Sequence, residues 1–332
     1  MHIGVIGVGR IGGLHAKILE ASPGVDRVSI GDLDAVRADR VAAELGLVAV
    51  DDIDTLIDTA DAVVITAATS AHADLIRRTT AAGKPTFCEK PVSLDLESTA
   101  GIVDHVATTG VTVQMGFQRR FDPGYRAAHD LVASGGLGTI YIIRMVGHDP
   151  EPPHEGYIPT SGGLFRDFGV HDFDALRFVT GQEVVEVYAE GAVLGFPVFE
   201  KYGDIDTGVA ILTLDSGARG ILSSTRHDPH GYDIRMELFG SGDSVVVGWD
   251  GRTPLRSLEP GGPDMPANPY PNFQERFRSA YEAELHAFVE VAAGRRPNPC
   301  TVADAMEALR VAVACDLSRT EHRPVRLDEV ET

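Results

Sequence analysis

Three side chains able to handle protons stand in two short stretches of this sequence. Cys88-Glu89-Lys90-Pro91 ends an apolar run on a lysine, and Asp167-Phe-Gly-Val-His171 sets an aspartate and a histidine four residues apart. A histidine titrates near neutrality and can take a hydroxyl proton. A lysine ammonium can stabilise developing alkoxide character. On a helix, a spacing of four puts Asp167 and His171 on one face. Pro91 lacks a backbone donor and biases Lys90 toward extended geometry. Gly162 and Gly163, just upstream of Asp167, leave room for a ligand to approach. The local sequence also admits a solvated surface lysine at Lys90 and a core histidine satisfied by Asp167 at His171. Asp172 and Asp174 read as surface or capping residues of the same helix.

A place for a redox cofactor is written at the N-terminus, where Gly7-Val-Gly9-Arg-Ile-Gly12 follows an apolar run and precedes a helical pattern. Gly7 permits the tight turn, Gly9 lets backbone approach a pyrophosphate, and Gly12 lets helix and strand pack closely. The helix start offers N–H groups and partial positive charge to phosphates. Asp32 lies twenty residues beyond Gly12 at the end of Val28-Ser-Ile-Gly-Asp32. Its carboxylate suits both ribose hydroxyls and repels a 2′-phosphate, which favours NAD over NADP. Thr66-Ala67-Ala68-Thr69-Ser-Ala-His72 follows a further strand and places small residues where a flat ring must pass backbone. Asp34 reads as a first-turn helix residue.

Apolar and amphipathic stretches alternate from residue 2 to about 116. Strands are expected at 3–7, 27–32, 62–66, 86–89 and 111–115, with helices at 11–21, 34–45, 71–82 and 93–108. Such alternation predicts a parallel sheet covered on both faces, with ligands at the carboxyl ends of its strands. Downstream, residues 139–146, 184–191, 208–214, 218–225, 234–239 and 244–247 alternate as strands of a half-buried antiparallel sheet. Two long helices are expected at 274–294 and 301–319, and the Pro/Gly-rich run 259–271 reads as a loop.

Composition bounds the function. The chain has 332 residues, 43% hydrophobic and 23% charged, with formal net charge 29 − 49 = −20. An acidic balance argues against a nucleic-acid partner, whose phosphates demand a basic face. No run of eighteen apolar residues appears, so no membrane span is expected. A strand begins almost at residue 2, which leaves no room for a signal peptide. Cys88, Cys300 and Cys315 are too few and scattered for a disulfide framework or metal cage, and a reducing cytoplasm is the expected location.

The chain resembles the Gfo/Idh/MocA family of sugar and cyclitol oxidoreductases, and within it the inositol 2-dehydrogenase branch. The resemblance rests on the glycine loop, Glu89-Lys90-Pro91-Val-Ser93, Gly116-Phe-Gln-Arg119-Arg120-Phe-Asp122, Ser161-Gly-Gly-Leu-Phe-Arg-Asp167 with His171-Asp-Phe-Asp174, and the tail from Phe277 to Arg310. It implies a Rossmann doubly wound parallel sheet over 1–118. Residues 119–332 would form an α+β domain with an open, mostly antiparallel sheet for substrate binding and oligomerisation, its C-terminal helices packing back on the first domain. It also implies Lys90, Asp167 and His171 as the catalytic trio, with His171 as general base and no metal. Cofactor contacts are expected from Gly7, Gly9, Arg10, Ile11, Gly12, Asp32, Thr66, Ala67, Ala68, Thr69, His72, Glu89, Lys90 and Gln118. Substrate contacts are expected from Lys90, Arg119, His148, Asp149, Asp167, His171 and Tyr232, with His154 and His230 as further candidates. The expected reaction is NAD-dependent oxidation of a ring hydroxyl of myo- or scyllo-inositol in inositol catabolism, by a homodimer or homotetramer. Alternatives are a dehydrogenase of a pyranose or aminocyclitol precursor, and a non-catalytic NAD(H) sensor or corepressor. Gly147-His148-Asp149-Pro150 stands where some inositol dehydrogenases carry His-Arg-Asn-Pro, so the polyol stays open.

Overall fold

A computed structural model describes residues 1–330. The described residues divide into two units, Met1–Gln118 with Ser279–Glu307, and Arg119–Arg278 with 308–330.

The first unit is built on β1 (His2–Ile6), β2 (Arg27–Gly31), β3 (Val48–Ala49), β4 (Ala62–Ile65), β5 (Thr86–Glu89) and β6 (Val113–Gly116). All pairs are parallel and the spatial order is β3-β2-β1-β4-β5-β6. That is the doubly wound dinucleotide-binding order, with its switch point between β1 and β4. Ile3, Val5 and Ala62–Ile65 are fully buried, as strands covered on both faces must be. Each such valine or isoleucine contributes about 1.5–3 kcal/mol. The helices are α1 (Arg10–Glu20), α2 (Ala35–Leu45), α3 (Ile53–Thr59), α4 (Thr69–Ala81) and α5 (Leu96–Thr109).

Sequence periodicity finds five of these strands and four of these helices to within a few residues, but not β3 and α3. A two-residue strand and a seven-residue helix are too short to show a period. α5 begins at Leu96 rather than Ser93 because the Asp95 side chain accepts from Ser98 N, at 2.7 Å, and caps it there. Asp34 likewise caps α2.

The second unit holds α6 (Pro123–Ala133), α7 (Ile158–Ser161), α8 (Val170–Thr180) and α9 (Phe273–Arg276) against a seven-stranded sheet. Its strands are β7 (Ile140–His148), β8 (Val184–Ala192), β9 (Thr207–Leu214), β10 (Arg219–Thr225), β11 (Asp233–Gly240), β12 (Ser244–Val247) and β13 (Val325–Arg326), in the order β12-β11-β7-β10-β9-β8-β13. β7 and β10, in the middle, pair in parallel, and every other pair is antiparallel. Burial alternates along the strands. In β9, Gly208, Ala210, Leu212 and Leu214 face the core while Val209 and Ile211 stay half exposed. Residues 259–271 form no helix or strand.

The remaining helices are α10 (Arg278–Ala292) and α11 (Val302–Glu321). Phe288 of α10 lies 5.8 Å from the Phe87 ring in the first unit, and Gln114 Nε2 donates to the Glu284 carbonyl. The stretch after α10 also joins that unit, with Met115 N donating to the Cys300 carbonyl at 2.9 Å.

Candidate functional site

In the first unit the expected residues gather at the carboxyl ends of β1, β2, β4 and β5. Gly7 has φ +90, and a Cβ there would meet the Ala67 backbone at 2.6 Å. A Cβ on Gly12 would strike the Gly7 carbonyl at 1.9 Å. Thr66 Oγ1 donates to that same carbonyl at 2.5 Å. The loop after β1 is thus locked against the loop after β4, and only glycine fits at positions 7 and 12. Gly9, by contrast, faces open space. It starts α1 with no side-chain cap, and a helix N-terminus suits an anion.

Asp32, just past β2, accepts from Val8 N at 2.8 Å and Asp34 N at 2.9 Å. Its carboxylate therefore stands beside the glycine loop, with Arg37 Nη1 3.4 Å away. An open cradle at Gly9, uncapped helix donors and an acid beside the loop fit a dinucleotide. Arg10 and Ala68 are exposed, and Ile11, Ala67 and Thr69 are half-buried.

Three expected cofactor residues are placed differently. Gln118 is buried in a short 3-10 turn. Glu89 accepts from His15, with Oε1 2.7 Å from Nε2. The His72 ring spans two backbone carbonyls, with Nδ1 2.7 Å from Pro91 O and Nε2 2.9 Å from Ala67 O. Burial pushes its pKa down while the two carbonyls pull it back. Lys90 is half-buried and precedes a cis bond to Pro91.

In the second unit, Asp167 lies on a π-helical turn, Phe165–Gly169, that runs directly into α8, and His171 sits in the first turn of α8. Such turns recur at functional sites. Tyr157 Oη donates to Asp167 Oδ1 at 2.8 Å, and Arg226 Nη2 lies 2.9 Å from Oδ2. A phenol and a guanidinium thus fix the direction of both carboxylate oxygens. Arg226, 3% exposed, also reaches Asp149 at 3.4 Å. Burial alone would lower its pKa, but Asp167, Asp149 and Asp204 together raise it. Arg226 therefore joins two expected substrate residues, yet no motif in the sequence marks it.

His148 ends β7 with Nε2 3.0 Å from Ser223 Oγ and Nδ1 3.7 Å from Asp228. Burial pushes its pKa down. Tyr232 is buried, its ring 6.5 Å from Phe168, and burial raises its pKa. His154 and His230 are exposed.

Asp172 and Asp174 depart from the surface reading: both are fully buried. Asp172 Oδ1 pairs with Arg119 Nη1 at 2.5 Å, and Asp174 takes a forked pair from Arg120. Two apart, they point to different sides of α8, which is buried from Asp172 through Leu176, and each acid meets an arginine from the turn 118–121. Burial pushes Asp172 up against the pull of Arg119; burial also pulls Arg119 down, but Asp172, Tyr125 and Tyr232 together raise it. Arg119 is thus an interior residue, 1% exposed, whose Nε and Nη2 have no partner among the described residues. The hydroxyl of Tyr125 and Oδ2 of Asp172 are likewise orphaned.

Two clusters bring possible metal donors together, His15 with Glu89 and Glu284, and His148 with Asp228 and Asp233. In each, the histidine is already hydrogen-bonded within the protein.

Comparison with known proteins agrees with this architecture. Residues 1–117 match the oxidoreductase family with an NAD-binding Rossmann fold, and residues 125–246 match the GFO/IDH/MocA C-terminal domain. A myo-inositol dehydrogenase of Streptomyces leeuwenhoekii is 37% identical over 96% of this chain and 98% of its own. The scyllo-inositol 2-dehydrogenase (NAD(+)) of Bacillus subtilis is 37% identical over 98% of this chain and 95% of its own. Among solved structures, scyllo-inositol dehydrogenase from Lactobacillus casei, with bound NAD(H) and scyllo-inositol, superposes with TM-score 0.89 at 29% identity, covering 99% of each chain. The glycine cradle and Asp32 set in a β3-β2-β1-β4-β5-β6 sheet, with both domain matches, mean that this chain belongs to the Gfo/Idh/MocA family and is an NAD-dependent dehydrogenase.

Proposed function

We propose that the chain oxidises a ring secondary alcohol of a cyclitol, myo-inositol or scyllo-inositol, to the ketone. The observation that carries this reading is Asp167 on its π-helical turn, held by Tyr157 and Arg226 four residues ahead of His171. The inositol dehydrogenases among its relatives supply the substrate class.

In this proposal His171 takes the hydroxyl proton as general base. Asp167, its own geometry fixed, orients the imidazole or a neighbouring hydroxyl. Lys90 offsets negative charge building on the oxygen. NAD, when bound, supplies the hydride acceptor; Gly9, the α1 N-terminus and Asp32 would hold it. His148 and Asp149, half-buried at the end of β7, suit direct contacts to ring hydroxyls. Arg119 and Tyr232, both buried, suit the floor beneath them.

We further propose a homodimer or homotetramer assembled through the open face of the second sheet. Tyr188, Ile211 and Ile221 stand side by side across β8, β9 and β10 and remain 36–52% exposed. A contiguous apolar row of this kind marks an interface. No described helix is long and apolar enough to cross a membrane. Three free, buried thiols suit a reducing cytoplasm.

The test is a panel of cyclitols, pyranoses and aminocyclitols assayed for NADH formation. The expected outcome is highest kcat/KM with myo- or scyllo-inositol. Turnover of a pyranose in preference to every cyclitol would overturn the substrate class.

A further inference from the structure

Lys90 stands between two residues that are each gripped by a buried histidine. On its N-terminal side, Glu89 Oε1 is bonded to His15 Nε2. His15 is fully buried on α1, its ring 5.6 Å from both Phe87 and Tyr281. On the C-terminal side, the Pro91 carbonyl is bonded to His72 Nδ1, and the opposite nitrogen of that ring reaches the Ala67 carbonyl. Ala67 backbone is in turn pressed against Gly7. One imidazole, 2% exposed, therefore spans from the residue after Lys90 to the loop that packs on the glycine turn.

A carbonyl oxygen only accepts, so the neutral ring donates to one of these carbonyls at a time and the protonated ring to both. No other side chain presents two ring nitrogens in opposed directions from one rigid plane. Burying such a ring is costly unless its polar atoms are bonded, and an aliphatic side chain would fill the space at lower cost. What the imidazole adds is geometry. Displacement of a reacting group by about 1 Å can cost about a hundredfold in rate.

We infer that His72 is a positioning residue that ties Lys90 to the cofactor loop, with His15 bracing Lys90 from the other side through Glu89. This rests on the role proposed above for Lys90. His72 itself then serves the cofactor only through the backbone of Ala67.

The test separates the two ends of the clamp. A side-chain amide of asparagine can stand in for Nδ1, and that of glutamine for Nε2. His72→Asn keeps the Pro91 bond and gives up Ala67. It is expected to weaken NAD binding, read by fluorescence titration without substrate, about tenfold, and to lower kcat by less than about threefold. His72→Gln keeps Ala67 and gives up Pro91, and the effects should be reversed. His15→Leu should lower kcat about tenfold or more with NAD affinity unchanged, and His15→Gln should restore most of it. Circular dichroism and thermal melts verify that each variant is folded.

If both His72 variants shift kcat and NAD affinity in parallel, or shift neither, the clamp is overturned. A merely structural histidine would lower melting temperature without this split. Lys90→Ala is measured alongside. Should it retain normal kcat, the Lys90 role fails on its own. If it is inactive while the His72 and His15 variants turn over normally, Lys90 stands and the clamp falls.

Discussion

The two units hold their candidate residues by different means. In the first, nearly everything that would face the cofactor is backbone: a glycine turn, uncapped helix donors, and loops packed so closely that Gly7 and Gly12 admit no side chain. In the second, the candidates are side chains braced by other side chains, with Arg119 on Asp172, Arg120 on Asp174, and Arg226 on both Asp167 and Asp149. Backbone recognition suits a cofactor whose phosphates are the same in every turnover. A web of buried charge suits a polyol, because each hydroxyl needs a donor or acceptor fixed in direction. The buried web is also the costlier arrangement, since each ion leaves water and is repaid only by good geometry.

That contrast predicts the largest effect at Arg119. Arg119→Met strands Asp172 uncompensated in the core and should cost about 3–5 kcal/mol of stability by denaturant melts. Arg119→Met with Asp172→Leu should recover most of that loss, because removing both charges removes the desolvation cost. Failure of the double variant to recover would mean that the pair itself is a net stabiliser. In the first unit, Gly7→Ala forces an alanine to φ +90 against the Ala67 backbone, a strain of about 1–3 kcal/mol. NAD affinity should fall steeply with it. Gly13→Ala is the control without that strain: it sits in α1 with nothing within 4 Å, and should stabilise by about 1 kcal/mol. Equal loss of NAD affinity in the two glycine variants would break the account of a close-packed loop.

The same contrast explains what could be read in advance. The glycine loop, Asp32, and the strands and helices of the first unit are visible because glycine spacing and apolar periodicity record backbone constraints directly. Lys90, Asp167 and His171 are visible through the motifs around them. His15, Tyr157 and Arg226 are not, because nothing local distinguishes a histidine that meets Glu89 across 74 residues, or an arginine that meets Asp149 across 77. Asp172 and Asp174 depart from their surface reading for a related reason. A charged residue near the start of a helix usually faces water, and only the arginines of the turn 118–121 reverse that. His72 shows the intermediate case: its position beside the cofactor loop is legible, but its use, on two carbonyls, is not.

The proposed function has His171 take the proton of a substrate hydroxyl and Lys90 offset the charge on its oxygen, while hydride leaves the ring carbon for the cofactor. It is tested most directly with ring-deuterated myo-inositol and NAD in a single turnover, with mass spectrometry of the reduced cofactor. The wild-type protein should place one deuterium on the nicotinamide. Lys90→Ala and His171→Ala should slow that transfer by about 10²–10⁴-fold while still binding NAD. Transfer at the wild-type rate in either variant, or reduced cofactor without deuterium, would contradict the account.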